Sequence, residues 1–320
     1  IALPRSCIVS PFAGSGLEKI VIDEGVTTVV PNLFNRGCDH VTEISLPSTI
    51  QVLGGQAFGN AVSLKTVTIP VNVSLPYGGV VSPFDNSALE TIVFSEGVTA
   101  IPSSLFRGGC SKVTSIVFPS TLQSIGYDAF DGCTSLAELN LPESVTSIGL
   151  GAFEDSVSLT SLNVNSSWSK PSGADMSPFA GSGLTSVTVK PGLTQIKAMH
   201  LANNSNVAIV MEIPTSVKSI DGSTFLEGEI YSVIYDGTSA QYELITKGEG
   251  FNPTCVICTD TILTNSLMEE VNEDDLDDLF SGLLDEPEEE DEEPLAEEDP
   301  EGNPEDDLTE PEEPVIIPVD

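Results

Sequence analysis

Residues 118–153 read FPSTLQSIGYDAFDGCTSLAELNLPESVTSIGLGAF, and the reading of this stretch decides the fold. It holds one phrase twice: LQSIGYDAF at 122–130 and VTSIGLGAF at 145–153 share an Ile, a Gly and a closing Ala-Phe. Between them, LAELNLP at 136–142 alternates apolar and polar side chains and stops at a proline. Alternation bounded by a turn signal reads as a short strand, and the proline ends its ladder. Outward from here the closing aromatic recurs as Phe12, Phe34, Phe58, Phe84, Phe106, Phe130, Phe153, Phe179 and Phe225, with Leu201 in the one gap. The steps are 22, 24, 26, 22, 24, 23, 26, 22 and 24 residues. Self-similarity at such a period marks a solenoid, in which one unit cannot bury its apolar side alone and stacked neighbours share a continuous core.

A longer period lies over the short one. SPFAGSGL at 10–17, SPFDNSAL at 82–89 and SPFAGSGL at 177–184 head three blocks that start 72 and 95 residues apart, a difference of one repeat. The array therefore reads as a product of block duplication, with longer loops at 70–83 and 165–178 on one edge. Leu3-Pro4 stands nine residues before Phe12, as Leu75-Pro76 does before Phe84, so the sequence starts inside a repeat and upstream sequence is expected.

The phrases LPSTIQVLGGQAFGNAVSLKTVTIP at 46–70 and the stretch at 118–153 resemble BspA-like leucine-rich-repeat proteins, which are bacterial and protist surface proteins. VIYDGTSAQYELITKGEGF at 233–251, followed by CVICTD at 255–260, resembles the terminal unit of such arrays. The resemblance covers roughly residues 1–260. It implies an extracellular adhesive or binding protein and carries over no catalytic residue. The expected fold is a β-rich leucine-rich-repeat solenoid over 1–262, about ten repeats of 22–26 residues, with a terminal cap near 230–260 and an acidic tail over 263–320. In the cap, Thr238 and Gln241 fit a capping box, which predicts a helix over 239–247 with Gly248 as its stop.

Charge divides the chain in the same place. All 11 Lys and Arg precede residue 269, while 26 of the 49 Asp and Glu lie at 269–320. The repeats carry a net −12 and the tail −26, so binding to phosphate backbones is disfavoured and no nucleic-acid partner is expected. No run of 18 apolar residues predicts a transmembrane helix. Residues 285–320 hold seven prolines among Asp and Glu and predict a disordered spacer. Leu276, Leu279, Phe280, Leu283 and Leu284 form a helical stripe that suits either a docking motif or a spacer that stays unordered.

Chemistry is sparse. No P-loop, G-x-G-x-x-G or H-E-x-x-H occurs, and no cofactor or metal is expected. His40 and His200 read as structural or solvated. Cys38, Cys110 and Cys133 recur three or four residues after a register Phe, which reads as a buried turn position filled by small hydrophobes. Cys255 and Cys258 form one CxxC pair without the second pair or histidines that a zinc site wants, with a disulfide or a redox role as the alternative.

Binding surfaces are left. The alternation points Thr66, Thr68, Thr91, Val93, Ser115 and Val117 outward, in a series that runs from Lys19 and Val21 to Ser232 and Ile234. These small, hydroxylated residues suit a solvated strand face or a flat protein contact. Trp168 and Tyr77, in the block-boundary loops, suit either hot-spot anchors or aromatics folded back on the solenoid edge. The leading expectation is a non-catalytic, secreted or surface-displayed scaffold that binds an extracellular or host protein. An architectural stalk or surface-layer element and an intracellular interaction scaffold are the alternatives.

Overall fold

The alternating segments become strands because every second side chain has a shared core to enter and the rest face solvent. The computed structural model describes residues 10–76, 81–166, 168–169, 176–202, 207–226 and 229–264. Eleven first-face strands follow one another among them: Lys19–Val21, Glu43–Ser45, Thr66–Ile69, Thr91–Phe94, Ser115–Val117, Glu138–Asn140, Ser161–Val164, Ser186–Val189, Ile209–Ile213, Tyr231–Tyr235 and Cys255–Ile257. Their ladders are parallel and in phase with the repeat, as Thr66↔Thr91↔Ser115 and Leu139↔Leu162↔Val187 show. Pro70 and Pro214 directly follow their strands and end the pairing there.

Each coil then makes a two-residue strand on a second face. Thr28–Val29 pairs with Val52–Leu53, and Ala100–Ile101 with Ser124–Ile125 and Ser147–Ile148. Gln195–Ile196 pairs with Ser219–Ile220 and Thr246–Lys247. A glycine follows several of these strands because the coils touch backbone to backbone. A Cβ on Gly126 would lie 2.4 Å from the Ser103 nitrogen, and one on Gly149 2.5 Å from that of Tyr127.

The Phe corner closes each coil. Phe58, Phe84, Phe106, Phe130, Phe153 and Phe179 are wholly buried. With Phe12 and Phe34 they make one ladder of eight stacked rings, centroids 5.0–5.7 Å apart. The return around each ring needs left-handed backbone two residues before or after it. Asn32 and Arg36 flank Phe34, Gln56 and Asn60 flank Phe58, and Asp128 and Gly132 flank Phe130, all with positive φ. Asn, Asp and Gly tolerate that region at least cost, which is why they crowd the corner. Hydrogen bonds tie each corner to the next, for example from Phe106 N to Ala129 O at 2.9 Å and from Phe130 N to Ala152 O at 2.8 Å.

The capping box at the last coils is present. Thr238 accepts from the Gln241 backbone, and Gln241 from that of Thr238. The helix is only Ser239–Glu243, shorter than the expected 239–247. Thr246–Lys247 instead forms the second-face strand of that coil, and Gly248 takes the backbone-contact place of Gly126 and Gly149. The helix lies between the two strands of one coil. The described chain ends in Ile262–Thr264, which pairs antiparallel with Cys255–Ile257. The remaining residues of the expected tail, including the stripe at 276–284, lie outside the described residues.

Candidate functional site

The in-phase ladders convert six outward residues from three repeats into one patch. Thr66, Thr91 and Ser115 stand side by side, and Thr68, Val93 and Val117 form the parallel row beside them. Val67, Ile69, Ile92 and Phe94 alternate with them and are buried, which fixes the direction of the outward set. Thr66, Thr68, Ser115 and Val117 are exposed, and Thr91 and Val93 are half-buried. The patch bears no charge. Lys65 and Glu90 pair with each other just before its strands, and Lys19 bonds Glu43 at 2.7 Å on the neighbouring coils. Such a surface offers hydroxyl donors and acceptors and valine methyls to a flat partner.

Outward alternation holds along the face until its end. Ser232 is buried, because the Cys255 strand packs beside it and the Cys255 thiol donates to its hydroxyl at 3.4 Å.

The loop aromatics stand differently. Trp168 is wholly buried, with its ring 6.3 Å from that of Phe179. It is therefore not an exposed anchor: the loop folds its largest apolar side chain back onto the solenoid, where burial of this area outweighs exposure. Tyr77 lies outside the described residues. His200 is buried beside Leu201, and His40 is exposed.

The cysteine column needs a correction. Cys110 and Cys133 are joined in a disulfide across adjacent coils, with Cα atoms 4.7 Å apart. They are not two free small hydrophobes. Stacking places equivalent Cα atoms within the range a disulfide spans, so two consecutive cysteines at one position meet. Cys38 has Ala61 at the equivalent place in the next coil and stays free; burial, then Asp39, pushes its thiol up to about 12. Cys255 and Cys258 are also free and buried.

One polar constellation escaped the sequence reading. Arg107 binds Asp128 at 3.3 Å and Asp131 at 3.0 Å on the corner of the next coil. Partial burial and then the neighbouring carboxylates Asp131, Asp155 and Asp128 raise the pKa of Glu154. These residues come from three coils, and only the repeat register would have collected them. Among the described residues, no group of three or more His, Cys, Asp or Glu is arranged to hold a metal ion. Nor is any helix among them long and apolar enough to cross a membrane.

The model of the BspA type leucine rich repeat region matches residues 9–112 and 99–231, in six copies. The chain belongs to this family. No curated protein matches it. Among solved structures, a leucine-rich repeat protein from Bacteroides ovatus is 16% identical, over 68% of this chain and 55% of its own, with a TM-score of 0.46. The present chain thus spans about half of that protein's length. The pneumococcal vaccine antigen PcpA is 16% identical, over 77% of this chain and 68% of its own, with a TM-score of 0.38. A leucine rich cell surface protein from Faecalibacterium prausnitzii is 19% identical, over 72% of this chain and 91% of its own, with a TM-score of 0.24. Membership of the BspA-type family rests on the repeat match and not on these likenesses.

Proposed function

We propose that this BspA-type scaffold is a non-catalytic, secreted or surface-displayed binding protein that holds an extracellular or host protein against its first face. The uncharged patch of Thr66, Thr68, Thr91, Val93, Ser115 and Val117 carries the reading, because it is in register and the Lys65–Glu90 and Lys19–Glu43 charges beside it are paired with each other. The Cys110–Cys133 disulfide supports an oxidising compartment and disfavours the intracellular alternative. The test is surface plasmon resonance of the full chain over an immobilised extracellular-protein preparation. Binding should disappear in the triple variant Thr66→Glu, Thr91→Glu, Ser115→Glu and survive Thr66→Ser, Thr91→Ser. Binding that survives the triple Glu variant places the contact elsewhere. No binding by the wild type favours the architectural role.

A further inference from the structure

We infer that the chain carries a second recognition site, an open apolar groove across its C-terminal coils that takes a cationic, apolar stretch of extended peptide. The groove has a volume of about 440 Å³ and crosses the ends of four successive first-face strands. Register builds one lip by bringing Thr188, Glu212, Ile234 and Ile257 side by side. Pro214 and Asp236 line the groove from the turns beyond. Ile234 and Ile257 are half-buried and offer their remaining apolar surface to whatever lies there.

Charge selects the occupant. Glu212 and Asp236 are both exposed. The Glu212 carboxylate accepts from the Thr188 hydroxyl at 3.1 Å, and among the described residues no base bridges either acid. Of the bases near this edge, Lys190 turns to Glu143 two coils back, and Lys218 donates to the Thr215 carbonyl at 3.1 Å. An apolar side chain seated against Ile234, Ile257 and Pro214, with a Lys or Arg beside it, would pair these acids without burying a charge. Four strands at about 4.8 Å spacing give a length near 14 Å, which about four residues of extended chain fill. This site is remote in sequence from the patch at 66–117 and does not depend on it.

The probe is fluorescein-labelled Gly-Lys-Leu-Lys-Gly, followed by anisotropy against the full chain at low ionic strength. A dissociation constant on the order of 0.1–1 mM is expected for so small a contact. Glu212→Lys with Asp236→Lys, both at exposed positions, should weaken it by about tenfold or more. Gly-Lys-Ser-Lys-Gly should bind about tenfold more weakly, since the leucine supplies the apolar term. The charge-matched control Glu18→Lys with Glu138→Lys should keep full affinity, as should the triple Glu variant of the first-face patch. Equal binding of the Leu and Ser peptides, or equal loss in the control pair, would reduce the effect to general attraction by an acidic chain and overturn the proposal. So would no detectable binding, or a dimer of the chain that Glu212→Lys with Asp236→Lys abolishes, which would give the groove to a second copy.

Discussion

Between Phe12 and Phe179 the corner of the solenoid is one stack of identical rings, whereas after Leu201 the core is assembled from separate pairs. In the first region the first-face strands are three or four residues long, and each ring meets the same ring above and below. In the second, Leu201 interrupts the stack and the ladders lengthen to five residues at Ile209–Ile213 and Tyr231–Tyr235. Phe225 stacks on Tyr231 at 3.9 Å, and Tyr235 packs on Tyr242 at 5.6 Å. A repeated residue solves the packing of every coil at once, since each ring shapes the site for its neighbour. Where the repeat degenerates, longer backbone ladders and individually fitted aromatics take over, and an antiparallel strand covers the last edge.

The largest expected effect tests the stack. Phe130 meets Phe106 and Phe153 face to face and Phe94 and Phe118 edge-on. Phe130→Ala should cost roughly 3–5 kcal/mol in urea titration, the usual range for a buried Phe, while the outward Thr91→Ala should stay within about 0.5 kcal/mol. Equal costs would break the inside–outside assignment. Next, the first region is cross-linked and the second is not. Replacing both Cys110 and Cys133 by Ala should destabilise by about 2–4 kcal/mol, and reduction of the wild type should reproduce the loss. Third, Thr238→Ala removes one side of the capping box and should cost about 1 kcal/mol, read as faster amide exchange confined to the last coils. Loss of protection throughout 12–179 would show that the two regions unfold as one.

The smallest effect is electrostatic. Glu154 has a raised pKa, so the folded state holds its proton at pH values where the unfolded chain has released it. Stability contributed by this group is present below the unfolded pKa of about 4.3 and is lost as pH rises from there through the folded value. Melting temperatures of wild type and Glu154→Gln across pH 4–7 should show a shallower decline in the variant. A steeper decline would mean that the carboxylate is favoured by its surroundings.

Much of this was legible, for a common reason. A period of two within strands and of 22–26 between them sets the buried and outward columns, and Thr66, Thr91 and Ser115 are neighbours as the register requires. What stayed hidden depended on contacts that a count from the phenylalanines misaligns. Measured from Phe106 and Phe130, Cys110 and Cys133 look staggered. Measured back from Val113 and Leu136, the core residues that follow, each stands three positions before, and the pair coincides. Gly248 read as a helix stop because the capping box was near, yet it is the backbone-contact residue that follows a second-face strand. Trp168 lay among polar residues, and polarity of a loop says nothing of where its one large ring goes. The groove draws on four repeats, and in each of them its residues look like ordinary strand ends.

The disulfide also has a mechanical consequence. A stacked array whose coils touch only their neighbours gives way to a pulling force one coil at a time. Cys110 and Cys133 are 23 positions apart, so the segment between them cannot lengthen while the bond is intact. At about 3.4 Å per extended residue, that withholds close to 75 Å of contour length from the pulled chain. Under load, the oxidised protein is a tether with a shorter maximum reach than the reduced one, and the fifth and sixth Phe coils stay linked to each other after the rest have unspooled.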